Sequence, residues 1–371
     1  MSRKLRLAYF AHSLRSDWNN GNAHFLRGLL RAVASLGSDV TIFEPAHGWS
    51  VDHLMEEPEG AESMRKFEAT YPDLSISCYE ESETADSGIW SNKLRDFDVV
   101  VLHEWNPPRL AAMLLQLRGE LGFRLLFHDT HHRASSSPDQ IRNFGTDQFD
   151  GVLAFGEALS CIYRDVFGIK RVWTLHEAAD VTVFRPNPGE QKTADVIWIG
   201  NWGDDERKAE IREFFLCPAA HLRNRKFVIH GVRYPEGALQ ALRDAGVAYA
   251  GYLPNLDAPA AYGAARLTLH IPRQQYTRAM TGIPTIRVFE ALACGIPLIS
   301  APWSDTEQLF REGDFLFVRD HREMTQAVEY LLTHPAAAQD QALRGLETIL
   351  ARHTCRHRAE QLLDICEEVL A

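Results

Sequence analysis

Short apolar runs alternate with segments of helical period along most of the chain. In the first half, strands are predicted at residues 5–10, 40–43, 99–102, 124–127 and 152–155. In the second half, the same pattern predicts strands at 196–199, 227–230, 267–271, 298–300 and 315–318. Strands that alternate with helices are typical of parallel sheets covered by helices. The chain is therefore predicted to be an α/β protein with one such sheet in each half.

The length of the chain predicts two domains. Its 371 residues exceed what a single hydrophobic core usually serves. The segment Pro186-Asn-Pro-Gly189 breaks regular structure with two prolines and a glycine, and marks the boundary. We therefore predict domains at 1–186 and 187–350, followed by a closing helix at 351–371.

The segment from residue 50 to residue 88 differs from its surroundings because it is acidic and irregular. It contains Glu56-Glu-Pro-Glu59 and Glu80-Glu-Ser-Glu83. Two interpretations stay open: a solvated surface insertion, or an element that contacts an acceptor or a partner.

Composition and charge restrict the class of protein. The net charge of −11 argues against a general nucleic-acid binder, which needs clustered Lys and Arg. The six cysteines are scattered, as in proteins with reduced cytosolic thiols. No apolar stretch is long enough to cross a bilayer, and the run after Lys4 is too short for a signal peptide. We predict a cytoplasmic protein without a transmembrane segment.

The most informative stretch runs from Gly282 to Ser300. It predicts a phosphate-facing loop, a short helix with Pro284 in its first turn, a stop at Gly295 and then a strand. The amides at the helix start, around Thr285 and Ile286, can face an anion. Glu290 lies two turns into the helix, where its carboxylate can accept hydrogen bonds from a ribose diol; the alternative is a solvent-exposed helix residue.

The order of these elements resembles the donor-binding element of the group 1 glycosyltransferases, especially their spore-maturation-protein-like branch. The matching residues are Arg287, Phe289, Glu290, Ala293 and Gly295. Two further segments match: the interdomain segment, through Asp180, Phe184 and Pro186, and the closing helix that begins near His353. Together they cover the chain from about residue 150 onward, and the first 150 residues match in layout.

The resemblance implies the GT-B fold, in which two Rossmann-like domains with parallel sheets face a central cleft. It implies a hexosyltransferase-type enzyme that moves a sugar from a nucleotide-diphosphate sugar to an unknown acceptor, with retention and without a bound metal or other cofactor. Many members carry a second glutamate eight residues before the ribose-binding one, where this chain has Gly282. That difference bears on how the donor sugar is held.

Further donor-binding candidates follow strands of the second half. Gly200 ends the first of these strands, and Arg207 follows at a helix start, where the family commonly sets a basic residue against the diphosphate. A guanidinium matches paired phosphate oxygens well. His230 ends the next strand and is assigned to the donor side.

A dense polar cluster, His128-Asp-Thr-His-His-Arg133, ends the strand at 124–127. In the family, a histidine at the end of this strand often reaches the donor sugar, which implies that role for His131 or else His132. Asp129 is a candidate to orient an imidazole, and Arg133 to bind an anion. A structural role for the cluster, or a metal site built on its histidines, stays open.

The loop after the first strand should also reach the ligand, because ligands bind beyond the carboxyl ends of parallel strands. Its candidates are Asp17, Gly21, Asn22 as a helix cap, and His24 as a catalytic group. For Asp17 and His24, roles as a loop carboxylate and a helix-surface histidine are equally open.

Three other functions compete with sugar transfer. A nucleotide-sugar epimerase or hydrolase on the same fold would need acid–base carboxylates, with Asp17 and Asp129 as candidates. A metal-dependent hydrolase would use His128 to His132. A catalytically silent nucleotide-binding protein is the third.

Overall fold

The computed structural model describes residues 4–371, and the side chains of all of these except Ala85 and Asp204. The chain divides into two compact units, Met1–Glu177 with Cys355–Ala371, and Ala178–Thr354. The change of unit thus falls before the predicted boundary at Pro186. Ala179 already pairs with Thr354, its N–H donating to the His353 carbonyl at 2.9 Å, and this contact ties the segment to the second unit.

The first unit is built on a seven-stranded sheet in which every pairing is parallel, with the order β3-β2-β1-β4-β5-β6-β7. The strands are β1 (Arg6–Phe10), β2 (Asp39–Pro45), β3 (Ile76–Tyr79), β4 (Val99–His103), β5 (Arg124–Asp129), β6 (Gly151–Ala154) and β7 (Val172–Thr174). The sheet is the core of the unit, since β4 is buried along its whole length.

The helices of the first unit follow the strands in turn. They are α1 (Ala23–Ser35), α2 (Trp49–Glu56), α3 (Gly60–Thr70), α4 (Ser87–Leu94), α5 (Pro108–Leu121), α6 (Arg133–Ser136), α7 (Pro138–Arg142) and α8 (Glu157–Asp165), with 3-10 turns at Glu81–Ala85 and Thr146–Gln148. The last helix of the chain, Cys355–Leu370, also belongs to this unit and packs against α1. The predicted closing helix at 351–371 therefore begins at Cys355, and residues 351 and 352 end the preceding helix.

The second unit carries a six-stranded sheet, also parallel throughout, with the order β10-β9-β8-β11-β12-β13. Its strands are β8 (Ala194–Ile199), β9 (Phe227–His230), β10 (Ala248–Tyr249), β11 (Ala265–His270), β12 (Leu298–Ser300) and β13 (Leu316–Phe317). A core of Val196, Phe227, Leu267 and Ile299 joins the sheet to its helices.

The helices of the second unit are short between strands and long at the end. They are α9 (Lys208–Ile211), α10 (Cys217–His221), α11 (Glu236–Ala245), α12 (Ala258–Gly263), α13 (Gln274–Arg278), α14 (Ile286–Ala293), α15 (His321–Thr333) and α16 (Pro335–Arg352), so that Cys355–Leu370 is α17; 3-10 turns lie at Asp204–Glu206 and Asn255–Asp257, and a π-helical turn at Arg212–Leu216. Both units are thus Rossmann-like, as predicted.

The acidic segment between residues 50 and 88 is more regular than predicted. It contains most of α2, then α3, the edge strand β3 and the start of α4. Leu54 and Phe67 are buried, and they anchor the two helices on the unit. The acidic residues conceal this pattern because they occupy the outer faces of amphipathic helices.

Two properties of the described residues bear on the predicted cellular location. None of their helices combines the length and the apolar character that a membrane span requires. All six cysteines are free, and Cys294, Cys355 and Cys366 are buried. The cytoplasmic location stays a prediction.

Candidate functional site

The loop before α14 has the predicted order of elements, with one difference at the helix start. Thr285 is the N-cap of the helix, so Pro284 lies before the helix and not in its first turn. Gly295 follows the helix in the left-handed conformation, with φ at 63°, and stops it as predicted. The Thr285 side chain makes no hydrogen bond to the first amides, so the helix start can face an anion.

Gly282 cannot be replaced by a residue with a side chain in this conformation. Its φ is 98°, and a Cβ atom built on it would lie 2.2 Å from Thr306 Oγ1. The glutamate that many group 1 enzymes carry here has no room in this chain.

Glu290 lies inside the second unit, so the alternative of a solvent-exposed helix residue is wrong. Its side chain has no exposed surface. Oε1 accepts a hydrogen bond from Asn255 Nδ2 at 2.9 Å, and Oε2 accepts one from Arg287 Nη1. The carboxylate thereby fixes the guanidinium of Arg287, which keeps 28% of its side chain exposed at the first turn of α14.

Arg207 is the N-cap of α9, in a space that two glycines leave open. Its guanidinium carbon lies 5.4 Å from the centre of the Trp198 ring. A Cβ at Gly200 would lie 3.3 Å from Arg207 Nη1, and one at Gly203 would lie 2.9 Å from Arg207 Cβ. The two glycines therefore define where this guanidinium can lie.

The charge of Arg207 has no counter-ion among the residues whose side chains are described. Its Nε is buried and has no hydrogen-bond partner there. Burial, and after it the charge of Arg273, lowers the pKa of Arg207 to about 9. An unpaired, partly desolvated cation is costly for a fold, and a bound anion would relieve that cost.

Two more arginines contribute to the same positive field. Arg273 and Arg287 both lower the pKa of Arg207, so the three guanidinium groups interact electrostatically. Glu206 is paired with Arg273, which leaves Arg207 as the uncompensated charge. Sequence analysis missed Arg273, although its place three residues after β11 at the carboxyl edge of the sheet is the signal that marks such residues.

Two histidines end the strands that flank β8, β9 on one side and β11 on the other. His230 ends β9, and its Nδ1 is buried without a partner among the described residues. His270 ends β11; its Nδ1 bonds Ser300 Oγ at 2.9 Å, and its Nε2 is buried without a partner there. Burial, and then the charge of Arg207, lowers the pKa of His270 to about 3, so it is a neutral group beside the arginines. Sequence analysis assigned His230 to the donor side and missed His270.

In the first unit, the predicted cluster at the end of β5 is held by hydrogen bonds. His128 is buried, and its Nδ1 bonds the Tyr9 hydroxyl at 2.7 Å. Asp129 accepts from the Tyr163 hydroxyl at 2.6 Å and from the His131 backbone N–H at 2.9 Å. Asp129 thus orients the backbone of His131 and not an imidazole, and burial raises its pKa to about 6.

The two candidate histidines differ in access. His131 is half-buried, and its ring meets that of Trp105 edge-on at 4.9 Å. His132 is buried, and its Nδ1 bonds Ser136 Oγ at 2.8 Å. His131 is therefore the better placed of the two to meet a substrate. Arg133, predicted to bind an anion, is paired with the buried carboxylate of Glu104.

The loop after β1 differs from its predicted role in several details. Asn22 is the N-cap of α1 but makes no capping bond; its amide instead donates to Thr130 Oγ1 at 2.6 Å. Asp17 pairs with buried Arg27 at 3.0 Å. His24 has no exposed surface, which corrects the alternative of a helix-surface histidine, and its catalytic role stays a prediction. Gly21 lies in the turn that precedes α1.

The described part of the chain offers no side-chain arrangement that supports the predicted alternative of a metal site. No group of three or more His, Cys, Asp or Glu side chains there is arranged to hold a metal ion. His128 to His132 therefore do not form a ligand set, and whether the reaction needs a metal remains to be tested.

Each unit carries a parallel, Rossmann-like sheet, and Arg207 follows a strand of the second sheet. Residues 207–364 match the sequence model of the family described as Glycosyl transferase-like. No curated protein matches the chain.

Three solved structures share the fold over nearly the whole chain. The glycosyltransferase from Rickettsia africae has a TM-score of 0.67 at 10% identity, covering 99% of each chain. Anabaena Alr3699/HepE in complex with UDP-glucose has a TM-score of 0.73 at 11% identity, covering 98% of this chain and 100% of that one. An α-glucosyltransferase in complex with UDP and a 13-mer DNA has a TM-score of 0.67 at 12% identity, covering 98% and 100%. The protein has the GT-B fold, which confirms the predicted fold class. The match at residues 207–364 agrees with the predicted enzyme class, and the spore-maturation-protein-like branch stays a prediction.

Proposed function

We propose that the protein transfers a sugar from a nucleoside diphosphate sugar to an acceptor, and that the second unit binds the diphosphate. The observation that carries the proposal is the guanidinium of Arg207, which has no counter-ion among the described side chains and whose pKa is lowered by the charges of Arg273 and Arg287. Arg207, the two carboxylate-paired arginines that act on it and a helix start offer donors to a group with more than one anionic oxygen. A diphosphate is such a group.

UDP-glucose is the donor to test first, because Alr3699/HepE was solved with it. In the proposed binding mode, Arg207, Arg287 and the amides at the start of α14 bind the diphosphate. Glu290 accepts from the ribose, and Gly200, His230, Gly282, Thr285 and Ile286 line the donor site.

We further propose that transfer retains the anomeric configuration, as the resemblance to group 1 enzymes implies. The bond between the anomeric carbon and the leaving diphosphate oxygen breaks, and its electron pair goes to that oxygen. The acceptor hydroxyl forms the new bond and gives its proton to the leaving diphosphate. The protein mainly stabilises charge, and a positioned donor aimed at that charge contributes about 3–4 kcal/mol.

The reaction is proposed to need no metal, because the cations at this edge can meet the diphosphate charge. Activity should therefore survive exhaustive chelation. Activity that is lost with chelator and restored by one divalent ion would contradict this part of the proposal.

The epimerase or hydrolase alternative finds less support. Its two candidate carboxylates are both engaged, Asp17 with Arg27 and Asp129 with Tyr163. The pKa of Asp129 lies near the range of an acid–base group, but its carboxyl has no exposed surface. Transfer needs no such carboxylate when the leaving diphosphate acts as the base.

The acceptor is proposed not to be a nucleic acid, since the net charge of −11 would repel a phosphate backbone. The α-glucosyltransferase solved with DNA shares only 12% identity, which carries the fold and not the acceptor.

A thermal-shift screen with UDP, GDP, dTDP and ADP tests donor binding, and UMP serves as the matched control. One diphosphate should stabilise the protein by about 2.7 kcal/mol at a hundredfold excess over its dissociation constant. UMP should stabilise it much less, because it lacks the second phosphate. If no diphosphate binds, or if UMP binds equally well, the diphosphate site is wrong; product analysis with the matching nucleotide sugar then separates transfer from epimerisation and hydrolysis.

A further inference from the structure

Trp105 presents an exposed aromatic ring at the carboxyl edge of the sheet in the first unit. It lies two residues after the end of β4, and 42% of the residue is exposed. Its indole N–H has no hydrogen-bond partner among the side chains and backbone that the structure describes. A large exposed ring at this edge of a parallel sheet is where a ligand contact is expected.

The ring is fixed in place by charged and aromatic neighbours. The Arg133 guanidinium carbon lies 4.0 Å from the centre of the Trp105 ring. His131 meets the ring edge-on at 4.9 Å, and His12 lies at 6.1 Å. His12 in turn stacks on His103, with the ring planes 13° apart. The indole is therefore held before any ligand arrives, which lowers the entropy cost of binding.

The surroundings of the ring are close to electrically neutral. Glu104 neutralises the charge of Arg133 through a buried ion pair. Burial, and after it the charge of Arg133, lowers the pKa of His12 to about 3, so that this imidazole is uncharged. A neutral ligand therefore fits this place better than a phosphate or another anion.

Buried polar atoms near the ring are still without partners in the described part of the chain. They are Glu104 Oε1, His12 Nδ1 and His103 Nδ1. Buried polar atoms are normally hydrogen-bonded, so these atoms are candidate partners for a ligand that lies on the exposed ring. The carboxylate oxygen accepts hydrogen bonds, and hydroxyl groups supply them.

We propose that Trp105 is the platform on which a neutral saccharide acceptor lies, with the C–H face of its sugar ring on the indole and its hydroxyls toward Glu104 and His12. This inference names the acceptor class and rests on the proposed transfer reaction. Trp105 acts as a binding residue and sets the specificity for the acceptor.

The binding test uses fluorine NMR on protein that contains 5-fluorotryptophan. The Trp105 signal is identified by its absence in Trp105→Tyr, and the signal of Trp49, the other exposed tryptophan of this unit, is the internal control. Methyl glucoside, methyl galactoside, methyl mannoside, maltose and lactose are added at millimolar concentration, and a thymidine oligonucleotide is the competing ligand. At least one saccharide should move the Trp105 signal and leave that of Trp49 unchanged. If no saccharide moves it, or only the oligonucleotide does, the proposal is wrong.

The kinetic test uses the saccharide that binds. Trp105→Ala should raise the KM for that acceptor about tenfold, which corresponds to about 1.4 kcal/mol. UDP affinity should stay unchanged, Trp105→Tyr should recover part of the loss, and Trp49→Ala should behave as wild type. An unchanged KM in Trp105→Ala would contradict the platform. Because the NMR test needs no nucleotide, it stands even if the diphosphate screen fails.

Discussion

Replacing Glu290 with Gln removes the charge of a buried carboxylate and keeps its size. In the wild type, one oxygen accepts from Asn255 at 2.9 Å and the other accepts from Arg287. A glutamine amide offers one oxygen, so it can keep only one of these two bonds, and its NH₂ group then faces the donor of the other. Asn255 can turn its amide, because its Oδ1 has no partner among the described side chains and backbone, but a buried NH₂ group is then left unpaired.

The size of the effect follows from these bonds. A hydrogen bond to a charged group contributes about 1.5–3 kcal/mol, and a neutral one about 0.5–1.5 kcal/mol. Arg287 is 28% exposed, so water replaces part of what it loses. We expect Glu290→Gln to lower the free energy of unfolding by about 1–3 kcal/mol. For a unit of this size, the melting temperature should fall by about 3–9 °C.

The assay pairs thermal unfolding with calorimetric titration of UDP. UDP affinity should fall severalfold, because a charge-assisted bond to the ribose becomes a neutral one. Glu323→Gln is the control, since Glu323 pairs with Arg319 on the surface of the same unit and such pairs contribute little. If Glu290→Gln and Glu323→Gln have the same melting temperature, the buried bonds do not stabilise the unit. If UDP affinity is unchanged, Glu290 does not bind the ribose.

Three further predictions concern single side chains. Arg207→Ala should weaken UDP binding at least about tenfold. It should not lower the melting temperature, because an unpaired guanidinium costs stability. The control Arg243→Ala, which removes an exposed pair with Glu236, should leave UDP affinity unchanged in the same titration. His131→Ala should lower turnover far more than UDP affinity, and an equal fall of both would assign His131 to nucleotide binding. The raised pKa of Asp129, about 6 in the fold against 3.8 in the unfolded chain, gives stability that is present below about pH 4 and lost as the pH rises through 6. In chemical unfolding, the free energy of unfolding of Asp129→Asn should therefore fall further below that of wild type at pH 5 than at pH 7.5. An equal difference at the two pH values would contradict the raised pKa.

Periodicity predicted the fold well, because the strands of buried parallel sheets read as continuous apolar runs. Each strand predicted from these runs overlaps an observed one, as at Phe227–His230. The strands missed, Ile76–Tyr79, Val172–Thr174 and Ala248–Tyr249, lie at the edges of their sheets, where they are partly exposed and the apolar signal is weak.

The site was less predictable, because its properties depend on contacts between distant residues. The chain shows that Arg207 follows a glycine-rich turn, but not that Arg273 and Arg287 share its field or that it lacks a counter-ion. Glu290 was found from its place in the helix, whereas its bond to Asn255 spans 35 residues. The platform at Trp105 has no sequence signal, since a single tryptophan after a strand is ordinary.

The first unit is assembled from both ends of the described chain, and this has a consequence for its synthesis. The helix α1 packs on Cys355–Leu370, where Cys355 contacts the Phe25 carbonyl and Leu362 is fully buried. On the ribosome, residues 178–354 are complete and can fold before the last helix is made, whereas α1 must keep its apolar face uncovered throughout that time. The first unit, most of which is translated first, is therefore completed only when residues 355–370 have been added.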